Sequence, residues 1–424
     1  MKLGNTSFQG IWGLHRSQTD AQPARPRRIA QGLTGRIPRR LAVCLVALLI
    51  AVLVASYGSP SKSSGATGTP IVLGNIGSYD GSQASTFLPA QYALQAWASS
   101  VNASGGIDGH HVDLIIKQDN DTPSLAVSDV NELVQDHAVA IIDFSDIETS
   151  WTPAAEQAGI PVLGAGLGAP TLAGDKLFFP SGTSLTPSDY GTLYALKQKG
   201  DTKIGIPYCA EVAACSQLVS VITPLASQLG MKVVWSGAFS ATAPSYTAQC
   251  LAMQQAGVQG VIPAAPTASA IRIATACATQ GLHVTYGTQD AAVSSQWLPV
   301  PAFNGTLISD FDAPWFEDST PAEKAFHNAL AKYAPSQPVV PPSMHVWTAG
   351  QLFKAAVLAS GSSNVTSSTV LAGLYKMKDQ TLGGLTPPLT FTKGKVPMVD
   401  CFFIAGIKNG KFVATDGSKV SCQK

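Results

Sequence analysis

Apolar positions along this chain fall into two regimes. From Leu41 to Tyr57 the sequence LAVCLVALLIAVLVASY carries no charge. Ahead of it lie Lys2, Arg16, Arg25, Arg27, Arg28, Arg36, Arg39 and Arg40 against a single acid, Asp20. A basic segment followed by an apolar one reads as an export signal, with the basic side left in the cytoplasm. The apolar run is 17 residues long, a little short of the ~20 that span a bilayer. Two outcomes stay open: a signal peptide cleaved after Ala55 or Ser56, or a retained transmembrane anchor. Cys44 sits inside the run rather than after it, which makes it a poor lipid-attachment site. Gly58 to Thr69, GSPSKSSGATGT, reads as a flexible tether.

From Pro70 onward short apolar runs alternate with helical periodicity. Pro70–Ile76 predicts a buried strand, and Ala90, Ala93, Leu94, Trp97 and Val101 share one helical face. Val112–Ile116 and Val139–Asp143 predict strands around a helix at Leu125–Gln135. Thr152 is placed as a helix cap with Pro153 in the first helical position, and Pro161–Ala165 as the next strand. After a break near Pro180–Thr183 the rhythm resumes. Thr186-Pro-Ser-Asp189 has capping-box spacing, and strands are expected at Lys203–Pro207, Lys232–Trp235, Gly260–Pro263, His283–Tyr286 and Thr306–Asp310. Strand–helix alternation implies parallel sheets wrapped by helices, and two such series predict an α/β fold of two lobes.

Composition narrows the class. Charged residues are 12% of the 424, and 27 basic residues nearly cancel 26 acidic ones. There is no basic face for nucleic acid. Beyond the export segment stand Cys209, Cys215, Cys250, Cys277, Cys401 and Cys422, an even number in an exported chain. Six cysteines allow 15 pairings. Local closure favours Cys209–Cys215, Cys250–Cys277 and Cys401–Cys422, with buried free thiols as the alternative. No spacing is a CxxC, so zinc is not expected.

Catalytic signatures are lacking: no Walker A loop, HExxH, GxSxG or EF-hand loop occurs. Gly164-Ala-Gly-Leu-Gly168 follows a strand but has the wrong spacing for a dinucleotide fingerprint. His15, His110, His111, His137, His283, His327 and His345 show no ligand spacing, and His110-His111 reads as a solvated turn. Asp119 with Asp121, and Asp143 with Asp146, read as loop caps and surface charge. No enzyme activity, cofactor or metal is expected.

The segment from Val101 to Ala126 adds a sharper signal, with Asn102, Gly105-Gly106-Ile107 and Gly109 ahead of a strand and Asp119 and Thr122-Pro123 after it. It resembles the type I periplasmic binding proteins of the leucine/isoleucine/valine-binding family, which serve branched-chain amino acid ABC transporters. Glu156–Val162, Ala256–Val261, Gln280–Leu282 and His345–Thr348 resemble the family as well, so the likeness runs from about Pro70 to the C-terminus. It implies two Rossmann-like lobes with parallel sheets, joined by three hinge crossovers near Pro180–Thr183, Asp310–Pro314 and Leu382–Pro388, with a ligand cleft between. The expected division is residues 1–57 for the basic region and signal or anchor, and 58–69 for the tether. Residues 70–182 and 314–382 make the first lobe, and 183–313 and 383–424 the second.

Carried over by resemblance, the first-lobe ligand contacts are Ser78, Tyr79, Ser145, Asp146, Gly166 and Gly168. Ser145 matches the serine whose hydroxyl and backbone hold a ligand carboxylate. Gly168 stands where amino-acid binders have a threonine that receives the ammonium group. The second-lobe carboxylate falls near Gln289, with Asp290 adjacent, and a tyrosine expected near Ala213 is absent. The implied protein is an extracytoplasmic, monomeric solute-binding partner of an ABC importer's membrane permease. Its ligand is then a small polar organic solute: an amide, a polyol, or a carboxylate without an α-amine. The competing expectation is a membrane-anchored extracellular sensing domain.

Overall fold

The computed structural model describes residues 66–80, 84–164, 174–211, 213–240 and 242–423. The apolar run at 41–57 and the tether as far as residue 65 lie outside them. The first sheet is parallel throughout, in the order β2-β1-β3-β4-β5. Its strands are β1 (Gly68–Gly77), β2 (His110–Gln118), β3 (Ile141–Phe144), β4 (Val162–Gly164) and β5 (Phe178–Pro180). The inner strands β3 and β4 are buried throughout, whereas the edge strand β2, HHVDLIIKQ, starts in alternation. β5, Phe-Phe-Pro, is too short to carry a pattern, and the sequence reading saw only a break there.

The Ala84–Ala103 helix buries the stripe its periodicity predicts: Ala90, Ala93, Leu94, Trp97 and Val101 are all buried. It lies along the Pro341–Ser360 helix, which is buried on nearly every side. Close approach depends on Gly350, where an added Cβ would stand 2.6 Å from the Trp97 ring. The first helix ends in a reversal at Ile107–His110, with Asp108 at φ 50° and Gly109 at φ 82°. Positive φ at both central residues is the hairpin geometry that Asp-Gly supplies.

Two helix starts differ from expectation. The helix holding Pro153 runs Glu148–Ala158, so Pro153 is inside it and Thr152 is not its cap. The Trp151 indole donates to Ser145 Oγ at 3.1 Å, and this tertiary anchor draws the preceding turn into the helix. Likewise, the Leu185–Lys199 helix is capped by Ser184 without a side-chain cap bond. Its Asp189 turns away to another partner, described below, so no capping box forms.

The second sheet runs β12-β11-β10-β9-β8-β6-β7. β6 (Lys203–Cys209), β7 (Lys232–Phe239), β8 (Gly260–Val261), β9 (Thr285–Gln289) and β10 (Leu307–Asp310) are parallel. β11 (Cys401–Lys408), β12 (Lys411–Ala414) and β13 (Ser421–Cys422) add an antiparallel margin. That margin turns at Asn409-Gly410, φ 53° and 71°, the strongest short hairpin signal a sequence offers. Disulfides join Cys209 to Cys215, Cys250 to Cys277 and Cys401 to Cys422.

Three segments pass between the sheets: after β5, after β10, and on the approach to β11. They bond to one another side by side. Thr183 N–H donates to the Phe311 carbonyl at 2.8 Å, Ser184 N–H to Val399 O at 3.0 Å, and Ala313 N–H to Leu385 O at 2.8 Å. The Thr183 hydroxyl reaches Cys401 O at 2.8 Å. Gly182 fits this ribbon because it has no side chain: an added Cβ would stand 2.5 Å from Asp312 Oδ1 and 2.6 Å from the Phe311 carbonyl oxygen. Gly182→Ala should therefore destabilise the protein by about 1–3 kcal/mol through overpacking, read as a lower denaturation midpoint. An unchanged midpoint would show that the ribbon yields freely.

Candidate functional site

β5 and β10 enter the crossovers from their carboxyl ends, so the carboxyl ends of both parallel sheets lie on the side of the junction. Ligands of open α/β sheets bind at this side. In the first lobe the strand ends are tied by one carboxylate. Asp119, just past β2, accepts the Ser78 hydroxyl at 2.9 and 3.0 Å, the Ser145 hydroxyl at 2.6 Å and the Asp121 N–H at 3.0 Å. Ser78 follows β1 and Ser145 follows β3, so three strand ends meet on one group. Asp119 and Asp143 are fully buried. The surface-charge reading is thus corrected for these two and holds for exposed Asp121 and Asp146.

Ser145, expected to meet a ligand carboxylate, spends both of its groups inside the protein. Its hydroxyl donates to Asp119 and accepts from Trp151 Nε1 and the Ile147 N–H, while its own N–H donates to Asp143 Oδ1 at 3.0 Å. Ser78 Oγ accepts the Asp146 N–H at 2.9 Å. Tyr79 is fully buried, its ring folded over Gly77 and its hydroxyl donating to Asn75 Oδ1 at 3.0 Å. Burial pushes the Tyr79 phenol up, which keeps it neutral. Gly166 and Gly168 lie outside the described residues.

At the second-lobe edge Gln289 ends β9 and Asp290 follows it, with Asp189, His345, Asp310 and Asp312 around them. Gln289, half-buried at the end of β9, donates from Nε2 to Asp189 Oδ1 at 2.6 Å. Asp189 is buried, and desolvation pushes its carboxyl up to about 7 against the lowering effect of the Gln289 bond. Asp290 Oδ2 faces His345 Nε2 at 2.9 Å and accepts the Phe311 N–H at 3.3 Å. Both Asp290 and His345 are 2% exposed, so this pair joins β9 of the second lobe to the Pro341–Ser360 helix of the first. His345 was read as one of seven scattered histidines; its role depends on residues 55 positions apart. His110, read as solvated, is instead packed with Nδ1 at 2.7 Å from Thr69 O, while His111 is exposed.

Beside that pair Asp310 and Asp312 are fully buried. Both Asp310 oxygens, Asp312 Oδ1 and Asp290 Oδ1 have no hydrogen-bond partner among the described residues. Burial first, and then the neighbouring Asp290, push the Asp310 and Asp312 carboxyls well up. Among the described residues no group of three or more acid, histidine or cysteine side chains is placed to hold a metal ion. With folded pKa values raised, the folded chain binds more protons than the unfolded one between the usual carboxylate range near 4 and the raised values. Stability is then full at the acid end of that window and falls as pH rises through it. Asp310→Asn should flatten this slope and stabilise the protein at pH 8 by about 1–3 kcal/mol. A variant with the same melting profile from pH 5 to 8 would refute the assignment.

A family model for periplasmic binding proteins matches residues 70–411. No curated protein sequence matches. Among solved structures, a branched-chain amino acid ABC transporter protein from Thermus thermophilus with bound valine is similar at TM-score 0.70 and 16% identity, over 82% of this chain and 96% of that one. A fatty acid ABC transporter substrate-binding protein from Thermomonospora curvata gives TM-score 0.68 and 21% identity, over 83% and 92%. An extracellular ligand-binding receptor from Verminephrobacter eiseniae gives 0.67 and 17%, over 81% and 99%. At these identities the structures speak for the fold, and the family match covers most of the chain. This chain belongs to the periplasmic binding protein family, with its two-lobed α/β architecture.

Proposed function

We propose that this chain is the extracytoplasmic solute-binding component of an ABC importer, capturing a small polar organic solute between its lobes and passing it to a membrane permease. The observation that carries the proposal is the junction. Two parallel sheets turn their carboxyl ends to it, and three hydrogen-bonded segments around Thr183, Phe311 and Val399 join them. A solute touching both edges favours the closed arrangement, because it gains contacts there that the open one lacks. The hinges are residues 180–184, 310–314 and the stretch through 382–388. Gln289 and Asp290 contribute from the second lobe, and Ser78, Ser145 and Asp146 from the first, where the hydroxyls act by fixing the strand ends.

The test uses the protein's own solute, recovered from purified material by native mass spectrometry and added back at saturation. Small-angle scattering should then give a smaller radius of gyration; an unchanged radius counts against closure.

The uncharged run from Leu41 to Tyr57 supports a second reading of how the protein is held, as a retained anchor rather than a cleaved signal. No helix among the described residues is long and apolar enough to cross a membrane. Mass spectrometry of the mature N-terminus decides: a start near Ser56 or Tyr57 fits release, and an intact Arg-rich segment fits an anchored protein.

A further inference from the structure

The solute-binding reading leaves open what chemical group the second lobe receives. Gln289 stands at the carboxyl end of β9 and is half-buried, whereas Asp189 behind it is only 5% exposed. Gln289 Nε2 donates to Asp189 Oδ1, and above about pH 7, where the raised Asp189 carboxyl is ionised and can only accept, the amide nitrogen stays turned toward it. Nε2 and Oδ1 stand 2.6 Å apart, a close hydrogen bond. An amide with its nitrogen turned in has its oxygen turned out, and among the described residues nothing donates to Gln289 Oε1. Of the side chains ending this edge, Cys209, Phe239, Val261, Gln289 and Asp310, with Asp290 and Asp312 beside them, none is basic, and the adjacent His345 is committed to Asp290.

We propose that Asp189 is a positioning residue, which locks Gln289 so that its carbonyl oxygen receives a hydrogen-bond donor of the bound solute. This rests on the solute-binding reading and adds the chemistry of one subsite: an N–H or O–H group fits, and an acceptor is refused because two acceptors face each other unpaired. Of the ligand classes compatible with the sequence, it selects the amide and hydroxyl solutes over a carboxylate at this position. Asp189 lies 100 residues from Gln289. Only the fold brings them together, since the Leu185–Lys199 helix packs along β9 and β10.

Two neutral isosteres separate donor from shape: isovaleramide, and 4-methylpentan-2-one, in which a methyl replaces the amide nitrogen. Protein-observed NMR titration of the purified full chain at about pH 8.5, where Asp189 is ionised, should give a preference for the amide of about tenfold or more, the cost of leaving an acceptor unpaired. The preference should collapse toward parity in Asp189→Asn, where either amide orientation is open, and in Gln289→Leu. Persistence of the preference in Gln289→Leu overturns the proposal, as does failure of both probes to bind. A second readout needs no solute. In the wild type one Gln289 Nε2 proton, assigned by its loss in Gln289→Leu, should be protected from exchange while the other is not; equal, unprotected exchange overturns the Asp189 contact. The scattering experiment with the protein's own solute judges the solute-binding reading separately.

Discussion

Asp119 organises the first lobe, because three strand ends and the loop after β2 are tied through its two carboxylate oxygens. The hydroxyls of Ser78 and Ser145 are buried where water cannot reach, and a buried donor left unpaired costs about 1–3 kcal/mol each. One carboxylate accepts both, together with the Asp121 N–H. The tight loop behind it is made by Asn120 and Asp121, at φ 49° and 52°, residue types that tolerate the left-handed region. Pro123 then opens the next helix with no N–H to leave unsatisfied. The Asp-x-x-x-Pro spacing is thus a structural device first: it ties the carboxyl ends of three strands together.

The junction between the lobes is satisfied unevenly. Its backbone groups pair across the three crossovers, yet four carboxylate oxygens of Asp290, Asp310 and Asp312 have no partner among the described residues. Buried polar groups are paired in most folds, and an exception calls for a reason. The proposed hinge supplies one. In the solute-binding reading, an interface that serves two arrangements cannot satisfy every polar group in both; other buried polar atoms without a partner among the described residues, such as Asp143 Oδ2 and Trp297 Nε1, lie away from the crossovers. The Asp290–His345 contact is the one side-chain pair of opposite potential charge at this point, and it spans the two lobes.

Much of the fold was legible because it rests on local patterns. The Trp97 stripe, the Gly106–Gly109 reversal, the Asn409-Gly410 hairpin and the local disulfides each express themselves within about 30 residues of chain. The failures share a cause as well. Thr152 and Asp189 satisfy local capping rules, but other partners outweigh a cap: the Ser145–Trp151 bond, only six residues apart, and the Gln289–Asp189 bond, 100 apart. Phe178–Pro180 is a strand only because β4 lies beside it. In the site, Gln289 and Asp290 were reachable through family resemblance, whereas Asp189, His345, Asp310 and Asp312 become neighbours through folding alone. A buried acid in a Pro-Ser-Asp turn has the same spelling as a solvated one.

The two lobes also differ in what they leave free. Among the described residues of the first edge, Ser78, Tyr79 and Ser145 answer to Asp119 and Asn75, so their side-chain hydroxyls are spent. On the second, Gln289 has one function committed and one uncommitted. In the solute-binding reading this asymmetry has a consequence for selection. A preorganised acceptor discriminates more sharply than a mobile one, since a rotating amide could offer its nitrogen to the wrong solute at little cost. Discrimination at Gln289 therefore depends on a residue the solute need not touch. The buried Asp189 carboxylate holds the choice of donor over acceptor, while the crossovers hold the choice of open over closed.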